Sequence, residues 1–136
     1  VPNITKDGMP SLASPVPQPN DSISGLLAGE NIPAGSACNI RPDGKVWLAN
    51  GTALNAAARI HGYTYDRDYL AGQPITITEK CRLHYGTALT PGTPLYLSAT
   101  AGLLSDTATT GGPISCGFVV DDTKISVIST AYYRVP

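Results

Sequence analysis

Two histidines, His61 and His84, and three cysteines, Cys38, Cys81 and Cys116, are the residues of this 136-residue chain whose chemistry lies closest to neutral pH. A general base, a nucleophile or a soft metal ligand would have to come from among them. Their spacing argues against each role. There is no Cys-x-x-Cys pair and no His-x3-His, so a metal site would require scattered residues to converge, and no metal or cofactor is expected. Cys81 and His84 are near in sequence, yet in a strand positions three apart point to opposite faces. Odd in number and widely separated, the cysteines do not resemble a secreted disulfide framework; they point to synthesis in a reducing cytoplasm and to three small buried thiols. Asp66 and Asp68 in "YDRDY" could form a carboxylate dyad or a cation site, but with Arg67 between them a single solvated loop is the plainer account. No G-x-S-x-G elbow, no H-E-x-x-H and no phosphate-cradling glycine loop is present, and the expectation is that the protein is not an enzyme.

Charge excludes further classes. The formal net charge is -1 and only 14% of residues are charged, without the basic stripes that bind nucleic acid or anionic membranes. The longest apolar run falls far short of the roughly 20 residues that span a bilayer. Neither a nucleic acid nor a membrane is expected as a partner.

The elements that would position a site are short β segments. Residues 1–26, "VPNITKDGMPSLASPVPQPNDSISGL", hold five prolines among Ser, Asn, Asp and Gly and follow neither strand nor helix periodicity. They read as an extended Pro-rich arm, disordered alone or laid against a partner, and the isolated apolar residues Ile4, Met9, Leu12, Val16 and Ile23, spaced like anchors, favour the partner. From residue 27 to 130 the pattern is that of a β domain, followed by a short tail, 131–136. Cys38 and Ile40, then Val46 and Leu48 across the turn "RPDG", alternate with more polar neighbours and predict a hairpin whose bulge needs a positive φ at Gly44. "ANGTALNAAA" reads as a loop with one helical turn, and "RIHGYTY" as a strand interrupted at Gly62. "ITITEKCRLHY" reads as two half-buried strands or one long bent one; "LTPGTPLYLSATAGLLS" is a second hairpin, and "ISCGFVV" and "TKISVIST" are the last strands. The fold class expected is all-β, a compact β-sandwich or barrel, jelly-roll-like, with eight or nine strands.

The punctuation repeats. Leu27-Ala-Gly-Glu-Asn-Ile32 matches Leu70-Ala-Gly-Gln-Pro-Ile75, Pro-x-Gly35 matches Pro-Gly92, and the hairpin glycines Gly44 and Gly102 are followed by "IHGY" and "SCGF". This order suggests two similar halves, although hairpins share turn chemistry in any case.

Two aromatic groups are candidates for contact. Tyr132, Tyr133 and Arg134 lie beyond the last strand, and Tyr and Arg are enriched at interface hot spots, though the tyrosines could equally cap the core. Tyr63 and Tyr65, spaced by two, share one face and could line an interface or stack on sugar rings. Such a stripe leaves open a carbohydrate- or receptor-binding β-sandwich.

From about Leu27 to Ser129 the run of features "AGENIPAGSACNI-RPDGKVWLA", "AAARIHGYT", "LAGQPITI" and "LTPGTPLYLSATAGLLSDTATTGGPISCGFVVDDTKISVI" resembles the capsid cement, or decoration, proteins of tailed bacteriophages. The resemblance rests on turns and core positions and carries over no catalytic or ligand residue. It implies a structural virion protein, made in the host cytoplasm, that binds the outer surface of an icosahedral head, bridges major capsid protein subunits and stabilises the shell. With the arm and tail it implies a homo-oligomer, dimer or trimer. The competing functional class is a carbohydrate- or receptor-binding β-sandwich displayed on a virion.

Overall fold

A computed structural model describes residues 3–13, 22–52 and 58–131. Among these, eleven strands and no α-helix are found: β1 (Ser11–Leu12), β2 (Ser22–Ala28), β3 (Ala37–Ile40), β4 (Lys45–Leu48), β5 (Gly62–Tyr63), β6 (Pro74–Thr78), β7 (Lys80–His84), β8 (Pro94–Leu97), β9 (Leu104–Ser105), β10 (Gly117–Val119) and β11 (Lys124–Ile128). The fold is all-β. The expected eight or nine strands fall short of this because β1, a two-residue ladder too short for alternation to register, and most of β2 lie inside the segment read as an arm. The helical turn expected in "ANGTALNAAA" falls largely on residues 53–57, outside the described residues.

The strands form two units that, apart from β1, follow one another along the chain. β2 to β6 close a five-stranded barrel in the order β2-β4-β3-β5-β6, and the second sheet runs β1-β7-β11-β10-β8-β9. This is a five-stranded barrel with a six-stranded sheet and not a jelly roll, in which consecutive strands would alternate between two sheets. The bend between the units is Glu79, the single residue separating β6 from β7, so "ITITEKCRLHY" is two strands in different sheets.

The "RPDG" turn folds as its chemistry dictates. Gly44 has φ +80°, its N–H donates to the Arg41 carbonyl at 2.9 Å, and Ile40 faces Val46 across the hairpin. Cys38 and Val46 are buried in the barrel with Ala28, Ile32, Tyr69, Ile75 and Ile77, and Ile40 and Leu48 pack against them. The next residue back on β3, Ala37, faces the other way into a larger core with Tyr63, Leu83, Tyr85, Leu95, Leu97, Leu104, Val119, Ile125 and Val127. β3 is thus buried on both faces, and the wall of the barrel serves as the floor of the second unit.

The repeat has a structural counterpart. In each half a hairpin is followed by a strand that pairs with the hairpin's first arm: β5 joins β3 with Gly62 opposite Cys38, and β10 joins β8 with Gly117 opposite Leu95. Gly35 donates to the Thr64 carbonyl, and Gly92 makes the equivalent bond to Val119, both at 2.8 Å. The order β4-β3-β5-β6-β2 in the first half therefore corresponds to β9-β8-β10-β11-β7 in the second. One matched pair does not take equivalent places: Leu27 is near the end of β2, whereas Leu70 stands in the turn that leads into β6.

The N-terminal residues lie on their own chain. Asn3 bridges to Ser105, Ile4 N–H donates to the Leu104 carbonyl at 3.2 Å, Asp7 N–H to Tyr85 at 2.8 Å, and β1 pairs with β7. Residues 22–26 belong to β2, so the boundary expected at residue 26 falls inside a barrel strand. Its Ser-Ile-Ser-Gly start and the register shift between Ile23 and Leu26 hide the period-two signal.

Candidate interaction surfaces

The groups with catalytic potential are placed as structural parts. His61 is half-buried, and its Nδ1 accepts the Ile40 N–H at 3.0 Å, which leaves the proton on Nε2. Burial holds its pKa below the ordinary value, aided by Arg59 and opposed by Glu79. His84 is exposed on β7, on a different sheet. Asp68 Oδ1 accepts the Ala34 N–H at 2.8 Å and Asp66 Oδ1 accepts the Leu12 N–H at 3.0 Å, so the "YDRDY" acids staple the backbone at two separate points. Arg67 stacks on Tyr69, 4.6 Å from the ring centroid. No cluster of metal-ligating side chains exists among the described residues.

All three cysteines are buried and free. Burial pushes the Cys116 thiol up to about 11 and the Cys81 thiol up to about 12, and raises Cys38 furthest. Thiolate is the reactive form. We therefore expect no reaction with Ellman's reagent within minutes in native buffer and three equivalents of reaction in denaturant; fast native labelling of any of them would contradict this placement.

The expected contact residues divide. Tyr63 is fully buried, and its hydroxyl donates to the Ile128 carbonyl at 3.0 Å, so it cannot line an interface or stack on a sugar. Tyr65 shares its face, as the spacing of two requires, but that face points inward and Tyr65 packs half-buried against the same core. Ile4 and Leu12 are half-buried against that core too, anchoring the N-terminal segment to its own body, whereas Met9 is exposed. Val16, Tyr132, Tyr133 and Arg134 lie outside the described residues.

A different surface emerges on the outer face of the second sheet. Residues Pro94, Phe118, Ser126 and Arg82 stand opposite one another in a continuous row across β8, β10, β11 and β7. Phe118 is 51% exposed, Val120 just beyond β10 is 40% exposed, and Ile128 on β11 is 38% exposed. The apolar side of this face is flanked on β7 by the exposed Lys80, Arg82 and His84. At its end Asp121 accepts N–H bonds from Thr123 and Lys124 at 2.9 Å, which holds its carboxyl down at about 2, and pairs with Lys124 at 3.1 Å. A cavity of about 210 Å³ lies between residues 3–5 and 87–93.

Reading the sequence for aromatic pairs missed Phe118. The available signal was "SCGFVV", in which Phe118 and Val120 are apolar on one face while Val119 is apolar on the other. A strand apolar on both faces is either covered twice within its own fold or left with a face for a partner. No protein-family model, curated protein or solved structure matches this chain significantly.

Proposed function

We propose that this protein is a structural virion protein of the capsid decoration class, which binds the outer surface of an icosahedral head, bridges neighbouring major capsid protein subunits and stabilises the shell. The observation that carries the reading is the outer face of β8, β10, β11 and β7, with Phe118, Val120 and Ile128 exposed beside a basic rim of Lys80 and Arg82. Such a surface suits docking onto a broad protein surface: an apolar centre for desolvation, a charged edge for orientation. The resemblance of the hairpin sequences to decoration proteins supports the same reading. Weak contacts repeated by symmetry hold a shell through avidity, so no single contact need be strong.

The test is co-sedimentation with expanded, undecorated tailed-phage heads. Wild-type protein is expected to pellet with the heads and raise their melting temperature. Phe118→Asp, whose side chain already faces water, should keep the protein's own melting temperature within a few degrees yet weaken head binding more than tenfold, as loss of an aromatic hot spot does. A folded wild-type protein that leaves the heads unbound would overturn the proposal.

A further inference from the structure

The two halves close differently. In the first, β2 pairs directly with β4 in parallel, Leu27 opposite Lys45 and Ala28 opposite Val46. In the second, the counterparts β7 and β9 do not pair, and residues 3–13 run between them. The segment bonds β9 at one end through Asn3 and Ile4, and β7 at the other through Asp7, Ser11, Leu12 and Ala13. The second unit therefore holds a slot one strand wide, with polar backbone on both walls.

The slot has built fittings for its strand. Ile4 and Leu12 reach the core, Pro10 lies where a side chain on Gly35 would stand, and the Pro10 carbonyl accepts the Asp66 N–H at 2.9 Å. Lys6 Nζ donates to the Ala34 carbonyl at 3.2 Å, and Ser98 Oγ donates to the Asn3 side chain. None of these bonds depends on which copy of the chain supplies the strand.

The connection to β2 does not force self-filling. Ala13 N–H bonds the Arg82 carbonyl, and Ser22 stands opposite Thr78, so the two ends of the connection sit on β7 and β6, on either side of the bend at Glu79. Four residues of strand cover roughly 13 Å, with about 5 Å of strand spacing at each end, whereas the nine Cα steps from 13 to 22 reach about 30 Å when extended. The connection, "SPVPQPND", lies outside the described residues; in sequence it carries Pro15, Pro17 and Pro19.

We infer that the slot between β7 and β9 is a strand-acceptor site filled, in an assembled form, by residues 3–12 of a second copy of this chain, so that copies are joined by exchanged strands. Exchange keeps every bond of the closed monomer and changes only its partner. In dilute solution the tether favours the chain's own strand; as protein approaches the tether's effective concentration, in the millimolar range, the second copy's strand competes. A shell surface coated with this protein would reach that regime.

The test places one cysteine on the strand and one on the slot in the full chain, Asn3→Cys with Ser98→Cys, oxidised after incubation at about 1 mM and after incubation at low micromolar concentration. Non-reducing electrophoresis should show interchain-linked dimers or larger species from the concentrated sample and an intrachain link from the dilute one. Light scattering of the wild-type chain, concentrated and then diluted, should show slowly decaying oligomers. An intrachain link at both concentrations overturns the proposal even if the protein dimerises by another surface; a wild-type chain that is monomeric throughout overturns it whether or not the cysteines join.

Discussion

Tyr63→Ala is expected to cost about 3–5 kcal/mol of folding stability, the range for emptying a large aromatic site in a core. Tyr63 is among the largest fully buried side chains, and it sits at the join of the two units, on β5 of the barrel but facing the core of the second sheet. Removing the ring leaves a void against Leu83, Leu95 and their neighbours and also strips the Ile128 carbonyl of its donor. Domains of this size have only about 5–15 kcal/mol in hand, so chemical denaturation should show a midpoint shifted far down, or no native baseline at all. Tyr63→Phe keeps the packing and loses only the hydroxyl bond, at about 1 kcal/mol. If Tyr63→Ala melted within a degree or two of wild type, the placement of this ring would be wrong. The same numbers settle how binding experiments on the aromatic residues should be designed. Loss of any ligand signal in Tyr63→Ala would report unfolding, and the informative variant is Tyr63→Phe.

Gly117→Ala is the second large effect. A Cβ at Gly117 would stand 2.1 Å from the Ser126 carbonyl oxygen and 3.0 Å from the Val127 Cα, both backbone atoms of the paired strand, so no side-chain rotation relieves the clash. Either β10 separates from β11 or the sheet distorts, at a cost of about 3 kcal/mol and roughly 10 °C in melting temperature for a chain of this length. Gly44→Asn is the contrasting substitution. Nothing lies within 4 Å of a Cβ there, and Asn is among the L residues that best tolerate the φ of +80°, so only backbone strain is added and the melting temperature should fall much less than for Gly117→Ala. Equal stability of Gly117→Ala and wild type would mean that the β10–β11 register is not the one described.

These two residues also mark what was legible in the sequence. Gly44 was: Pro42, Asp43 and Gly44 determine a turn by local φ preferences alone, and the strands flanking them show their alternation within four residues. Gly117 was visible only as half of a repeated His-Gly-Tyr and Cys-Gly-Phe pattern, because the reason for glycine lies in a neighbouring strand that local sequence does not reveal. Tyr63 and Tyr65 show a related limit. Spacing of two placed them on one face correctly, but which face is inward depends on the packing of β5 against the second unit. The N-terminal segment misled for a compositional reason. Proline, serine and asparagine cannot build a core of their own, yet residues 3–13 need only lie across a core built by others, with Ile4 and Leu12 as the apolar contribution. The proposed docking face was missed because attention to tyrosine pairs passed over a single phenylalanine in a strand apolar on both sides.

The way the second sheet is sealed sets an order of events during synthesis. Every strand of the barrel lies between residues 22 and 78, so that unit has all its parts while the remainder is still being translated. The strand at residues 3–12 leaves the ribosome earlier, but its partners at Leu83 and Ser105 are about 70 and 100 positions away, and at about 5–20 residues per second it waits several seconds for them. This segment is thus made before the barrel strands and bound after them. For that interval a nascent chain presents an unpaired strand to whatever finished neighbour is at hand.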